Sequence, residues 1–174
     1  RLRRLAEQVL LNNSLHGARH AVLRRLVEEV GESGNLTVLS GVEVIYLDRV
    51  ETAAPLRFYL HPGSRVPAHC SASGKLFLAQ MNAAQRRRTL AGAALERYTA
   101  STITDPDLLE AELARVRHDG YALDREEFLP GLLCVAVGVP NPEGRVSLGV
   151  AVQAPAIRFT EERALQVLPA LQRA

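Results

Sequence analysis

Residues 132–153, LLCVAVGVPNPEGRVSLGVAVQ, constrain the fold more than any other stretch of this chain. Two valine-rich runs flank Pro140-Asn141-Pro142-Glu143-Gly144, and such a cluster between apolar runs reads as the turn of a hairpin. Side chains alternate faces along a strand. Leu133, Val135, Val137 and Val139 therefore share one face, as do Val146, Leu148, Val150 and Val152 on the return. Pairing Val139 with Val146 unites these branched side chains on one face, suited to covering helices. The opposite face then carries Leu132, Cys134, Ala136 and Gly138 against Ser147, Gly149, Ala151 and Gln153. In that register Cys134 lies opposite Ala151, and Leu132 opposite Gln153. This face has lost its bulk, so a closely packed helix, a partner chain or a ligand must fill the volume. Close helix packing is the plainer reading; the Gln153 amide at the edge argues for a pocket.

The other elements follow from periodicity and caps. Residues 2–13 and 18–33 read as helices, the second striped by Leu23, Leu26, Val27 and Val30 and ended by Gly31 or Gly34. Leu36–Leu39 and Val42–Val50 read as a hairpin about Ser40-Gly41, and Leu56–Leu60 as a third strand. Helices are expected from Ala72 to about Met81, from an Asn82 N-cap through Leu90, from Asp105-Pro106 to Gly120, and onward from Thr160.

At 174 residues the chain suits one domain, or one domain with a helical extension. Apolar residues at 47% supply a core, and a charged fraction of 23% excludes a disordered chain. A net charge of +2 excludes a wholly polyanion-binding domain. Six arginines against one glutamate in residues 1–25 read as a solvated helix face. Two cysteines, Cys70 and Cys134, make no disulfide framework and read as thiols. With no apolar run of spanning length and no signal-peptide pattern, a soluble cytoplasmic protein is expected.

The chemistry concentrates in His69-Cys70-Ser71-Ala72-Ser73-Gly74-Lys75-Leu76-Phe77-Leu78-Ala79, a polar loop running into an apolar helix. Its plain reading is a helix start: Ser71 or Ser73 as N-cap, Gly74 for tight packing, Lys75 toward solvent. The same geometry leaves free N–H groups at the positive end of a helix, which suits one carboxylate. A phosphate-binding loop is excluded, because Leu76 follows Gly74-Lys75 where a hydroxyl residue is required and the earlier glycine is missing. His69 and Cys70 are adjacent and point apart on an extended segment, so they make no nucleophile pair. His16 and His20 are the one pair at helical spacing and lack a third ligand, so no metal site is expected. Asp124-Arg125-Glu126-Glu127 reads as a strand end with Asp124 and Glu126 on one face and Glu127 on the other, Asp124 being within reach of a ligand hydroxyl.

HCSASGKLFLA resembles the loop–helix signature of the C-terminal effector-binding domain of IclR-type bacterial transcription regulators. Gly120-x-x-x-Asp124-x-x-Glu127, six residues, Cys134-Val135-Ala136 and then Val139-Pro140-Asn141 is similar to the second signature of that family, departing from it at Pro140, where an aromatic residue or histidine is usual. Glu43–Val50 and Gly63–Pro67 fit as well, and the resemblance spans nearly the whole chain.

That resemblance implies an α/β (α+β) GAF-like domain with a central, mainly antiparallel sheet flanked by helices on both sides. It implies a cytoplasmic sensor, such as a repressor, that forms a homodimer or homotetramer. DNA contact would come only through an N-terminal winged helix-turn-helix absent from this chain. Residues 1–33 would lead from that missing part, consistent with RLRRLAEQVLL opening in mid-helix, and 34–174 would form the effector-binding domain. The implied effector-binding positions are Ala72 and Ser73 through their backbone N–H groups, Asp124, Leu132, Cys134, Ala151 and Gln153, with Phe58 and Pro55 nearby. Serine in some members corresponds to Ala151 and Gln153, which implies a medium-sized or aromatic carboxylate rather than a very small keto acid. No cofactor and no catalysis are expected. The rivals are an enzyme using Cys134 or Asp124 in the same pocket, and a purely structural oligomerisation domain.

Overall fold

Leu23, Leu26, Val27 and Val30 recur at helical spacing, and all four are buried along α1 (His16–Val30). The structure, a computed structural model, describes residues 16–174; the helix expected over 2–13, with Arg1, Arg3 and Arg4, lies outside the described residues. Gly31 ends α1 by donating its N–H to the Val27 carbonyl at 2.8 Å. Strands β1 (Ser33–Ser40) and β2 (Glu43–Val50) then form the expected hairpin.

The third strand is not where the sequence suggested. Residues 55–60 form no ladder, and β3 is the short run Arg65–Pro67, pairing Val66 with Val44. Leu56 and Tyr59 stay exposed, so the apolar content there had nothing to bury against. Next come α2 (Ala72–Gln80), α3 (Ala83–Leu90), α4 (Pro106–Asp119), β4 (Tyr121–Arg125), β5 (Leu132–Pro140) and β6 (Val146–Pro155). The C-terminal helix is two short ones, α5 (Glu161–Gln166) and α6 (Leu168–Arg173). The caps act as read: Asn82 and Gln85 form a reciprocal capping box, Asp105 accepts from Asp107 and Leu108, and Thr160 accepts from Arg163.

All six strands join one antiparallel sheet in the order β3-β2-β1-β6-β5-β4. The β5–β6 register differs from the expected one by two residues: Val139 pairs with Leu148, Cys134 with Gln153 and Ala136 with Ala151. An even shift keeps every side chain on its face. A bulge between Val139 and Pro140 pairs Pro140 with Val146, and this moves Val146 off the branched face. Its methyls lie 2.8 Å from where a Cβ on Gly138 would stand.

Helices cover both faces. Leu133, Val135, Val137, Val150 and Val152 pack with Leu23 and Leu26 of α1 and with Ala164, Val167 and Leu171 of the C-terminal segment. Across the sheet, Ala136, Ala151 and Cys134 pack with Ala72, Leu76 and Phe77 of α2, backed by Leu109 and Leu113 of α4. Close helix packing therefore does fill most of the small face. A Cβ on Gly149 would stand 2.9 Å from Thr37 Oγ1 and 3.3 Å from the Phe77 ring, and one on Gly74 would stand 2.2 Å from the Ala68 carbonyl oxygen. Both glycines are there because neighbouring atoms come too close for any larger residue.

Candidate functional site

Cross-strand partners share a face, so the sheet carries a row Asp124–Cys134–Gln153–Ser33 and, beside it, Ala122–Ala136–Ala151–Asn35–Arg49. Helix α2 covers the alanines of the second row. Beyond its N-terminus lies a cavity walled by Asp124, Leu132, Cys134 and Gln153, roofed by Ser71, Ala72 and Ser73, and closed by Phe128 and by Val44, Tyr46 and Val66 of β2 and β3. Its free volume is about 10 Å³, room for roughly one water.

Six sequence-predicted positions thus meet: Ala72, Ser73, Asp124, Leu132, Cys134 and Gln153. Two do not. Ala151 sits under α2 in the packed core, because the register shift moved Gln153 rather than Ala151 to the side of Cys134. The Phe58 ring lines a separate surface hollow with Leu56, Arg57, Gly131, Pro155 and Ile157, and Pro55 is exposed.

The helix start is open. Ser71 holds the N-cap position with φ −118° and ψ 146°, but its hydroxyl donates to the Pro67 carbonyl at 2.8 Å and caps nothing. The first ladder bond of α2 runs from Lys75 N–H to the Ser71 carbonyl at 2.9 Å. The N–H groups of Ala72 and Ser73 precede it and have no intrahelical acceptor.

Lys75 is not at the surface. It is fully enclosed, with Nζ donating to Glu127 Oε1 at 2.5 Å and to Glu112 Oε1 at 3.2 Å. An ammonium survives burial only when paired, and here α4 and the turn after β4 each deliver a carboxylate. The extended reading of residues 124–127 fails at Glu126, whose φ of 59° turns the chain and brings Glu127 back toward Asp124. Glu127 N–H then donates to Asp124 Oδ1 at 2.7 Å. Burial, followed by the Glu127 charge, pushes the Asp124 carboxyl up to about 7 against the opposing pull of that backbone bond and of Lys75. Burial likewise pushes the Glu112 carboxyl up, but the hydrogen bond from Arg115 and the Lys75 charge outweigh it and hold it at about 2.

Gln153 is 2% exposed; its Oε1 accepts from Asn35 Nδ2 at 3.2 Å and from the Tyr46 hydroxyl at 3.1 Å, while its buried Nε2 has no partner. An unsatisfied buried donor costs about 1–3 kcal/mol, and this one belongs to a residue of the cavity wall.

The cysteines are poor nucleophiles. Burial raises the Cys134 thiol far above its ordinary value and pushes the Cys70 thiol up to about 12. His69 is tied to the Glu96 carbonyl at 3.0 Å. Among the described residues no cluster of three or more His, Cys, Asp or Glu side chains is arranged to hold a metal. Nor is any helix among them long and apolar enough to cross a membrane.

Tyr46, Val44, Val66, Ser71 and Phe128 also wall the cavity and were not among the expected positions. Alternation along Val44-Ile45-Tyr46 could have flagged one face of β2; Phe128 sits after a backbone turn that no local signal announces.

Known proteins resemble this geometry throughout. The family described as bacterial transcriptional regulator IclR C-terminal matches residues 7–174. The "Probable transcriptional regulator SauR" of Cupriavidus necator is 47% identical over 172 residues, covering 99% of this chain and 68% of that protein. The chain spans about half the length of other curated relatives it matches. The crystal structure of Thermotoga maritima IclR superposes with a TM-score of 0.87 at 30% identity, covering 99% of this chain and 70% of that one. A double mutant of the inducer-binding domain of the Acinetobacter transcription factor PobR, in complex with 3-hydroxybenzoic acid, superposes with a TM-score of 0.84 at 27% identity, covering 92% of this chain and 95% of that one. Helices on both faces of one antiparallel sheet are the GAF-like arrangement of these domains, and the chain belongs to the IclR family of bacterial transcriptional regulators as its C-terminal, effector-binding domain.

Proposed function

We propose that the cavity binds a small carboxylate effector and that binding adjusts DNA affinity in a longer regulator, whose DNA contacts lie outside this chain. The free Gln153 amide, facing a helix start whose N–H groups are open, is the observation that carries this reading. The effector carboxylate sits on the Ala72 and Ser73 N–H groups. Leu132, Cys134 and Phe128 flank its body, and Asp124, protonated below about pH 7, donates to it. The 3-hydroxybenzoic acid of the PobR complex is an acid of this kind. With free volume of about 10 Å³, any such acid must displace part of the cavity lining, and this gives binding a way to shift one arrangement against another. A homodimer or homotetramer of this domain would pass that shift to paired DNA-binding parts. The buried, protonated thiols favour sensing over catalysis.

The test is a thermal-shift screen of the 174-residue chain against aliphatic and aromatic monocarboxylates. A ligand that binds only the folded chain adds about 2.7 kcal/mol of stability at a hundredfold excess over its dissociation constant. A selective shift is expected, lost in Cys134→Leu, which fills the cavity, and retained in Cys70→Ala, which lies outside its wall. Shifts that survive Cys134→Leu would place the ligand elsewhere.

A further inference from the structure

Arg49 is an unusual residue to find enclosed. Its side chain is 2% exposed, yet Nε and Nη1 make no hydrogen bond. Nη2 donates to the Phe58 carbonyl at 2.7 Å, and Nε lies 3.6 Å from Glu51 Oε1, a carboxylate already held by Arg57 at 2.7 Å. A guanidinium keeps its charge at any accessible pH and has five donors suited to a forked oxyanion. Leaving Nη1 with no partner and Nε with only a long ion-pair contact is costly inside the protein unless something uses them.

The face on which Arg49 stands decides what that is. Arg49 pairs with Asn35, and Asn35 with Ala151, two residues from Gln153 on the same strand. Arg49, Asn35 and Gln153 therefore share the cavity side of the sheet. Its charge is felt at two groups of the cavity wall, the Tyr46 hydroxyl and the Cys134 thiol, where it opposes the upward push of burial. Lys75, the other buried cation nearby, is spent on Glu112 and Glu127. Besides the N–H groups of Ala72 and Ser73, this side of the sheet therefore carries two donors without a partner, Gln153 Nε2 in the cavity wall and Arg49 Nη1 one strand pair beyond it. Asn35 Oδ1, on the same side of the sheet, is an unpartnered acceptor.

We propose that the effector is a small acid carrying two anionic groups, the first on the start of α2 and the second gripped by Arg49 with the Gln153 amide. This rests on the carboxylate site above and names its ligand class. The cavity must widen for any acid. Widening toward β1 and β2 exposes the Arg49 donors while Nη2 keeps its hold on the Phe58 carbonyl, so the loop before β3 follows the second anion. The class is a short dicarboxylate or an acid with an equivalent second oxyanion; a lone carboxylate leaves Arg49 as it is.

Isothermal titration of the 174-residue chain with malonate and succinate, each against its monomethyl ester at equal ionic strength, tests this without a variant. Charge-assisted hydrogen bonds predict a preference of about ten- to a hundredfold for one of the diacids over its ester. In Arg49→Met that preference collapses while ester binding is retained. Should Arg49→Met fail to fold by denaturant titration, Arg49→Lys serves: it keeps the charge and loses the fork, so the preference shrinks, and an unchanged preference overturns the assignment. Equal binding of diacid and ester by the native chain overturns the inference and leaves the carboxylate site standing. Binding of neither, with no shift from any monocarboxylate, overturns both.

Discussion

The two faces of the sheet are built from the same strands and solve different problems. One face, with Val135, Val137, Val150 and Val152 against α1, α5 and α6, is branched and mostly apolar, its buried carboxylate Asp48 being paired with His20 of α1. The other carries Cys134, Ala136 and Ala151 beneath α2, ringed by Lys75, Glu127, Asp124, Gln153 and Arg49, all buried. The first face anchors α1, α5 and α6 to the sheet. The second gives up apolar bulk and buries polar groups, of which Gln153 Nε2, Asn35 Oδ1 and Arg49 Nη1 are left without a hydrogen-bond partner, the cost that the proposed ligand would offset.

That contrast can be broken most forcefully at Lys75. Lys75→Met strands Glu127 and Glu112 without their cation and should cost about 4 kcal/mol in denaturant unfolding. Adding Glu127→Gln should recover part of it; a loss that is merely additive would mean the pair is not coupled.

On the apolar face, Leu123→Ala should cost about 3 kcal/mol, since Leu123 is fully enclosed among aliphatic neighbours. Its ligand-induced thermal shift should equal that of the native chain. A weakened shift would show that the two faces are not independent.

The polar face also predicts a pH response. Asp124 keeps its proton to about pH 7 when folded and loses it near pH 4 when unfolded. Between those values the folded chain binds the extra proton, so stability falls as pH rises through that window and levels off above it, by at most about 1.4 kcal/mol per pH unit. Asp124→Asn, which keeps the acceptor for Glu127 N–H, should flatten this slope in pH-stepped denaturation. An unchanged slope would mean that another group carries it.

The smallest effect belongs to neither face. Asn82→Ala removes half of an exposed capping box on α3, a helix with no buried residue, and should cost about 1 kcal/mol. Ligand binding should not change.

Much of this was readable from the residues. The valine alternation in 132–153 selected the right face for every branched residue except Val146, and the Asn82, Asp105 and Thr160 caps stand where local chemistry puts them. Alternation and capping depend on neighbours a few residues apart, and so a sequence determines them by itself. Alternation also put Cys134 and Gln153 on one face, whereas the grouping of that face with Asp124 and the HCSASGK loop came from the family resemblance.

Tertiary structure decided everything that depends on distant partners. It chose the β5–β6 register, because a slip of two residues leaves the pattern of faces intact and local sequence cannot tell the two pairings apart. It buried Lys75, whose carboxylates arrive from 37 and 52 residues away. It also enclosed Arg49, which in the string EVIYLDRV reads as one more charged residue. A charge is placed by whatever surrounds it in space, and only the fold assembles those surroundings.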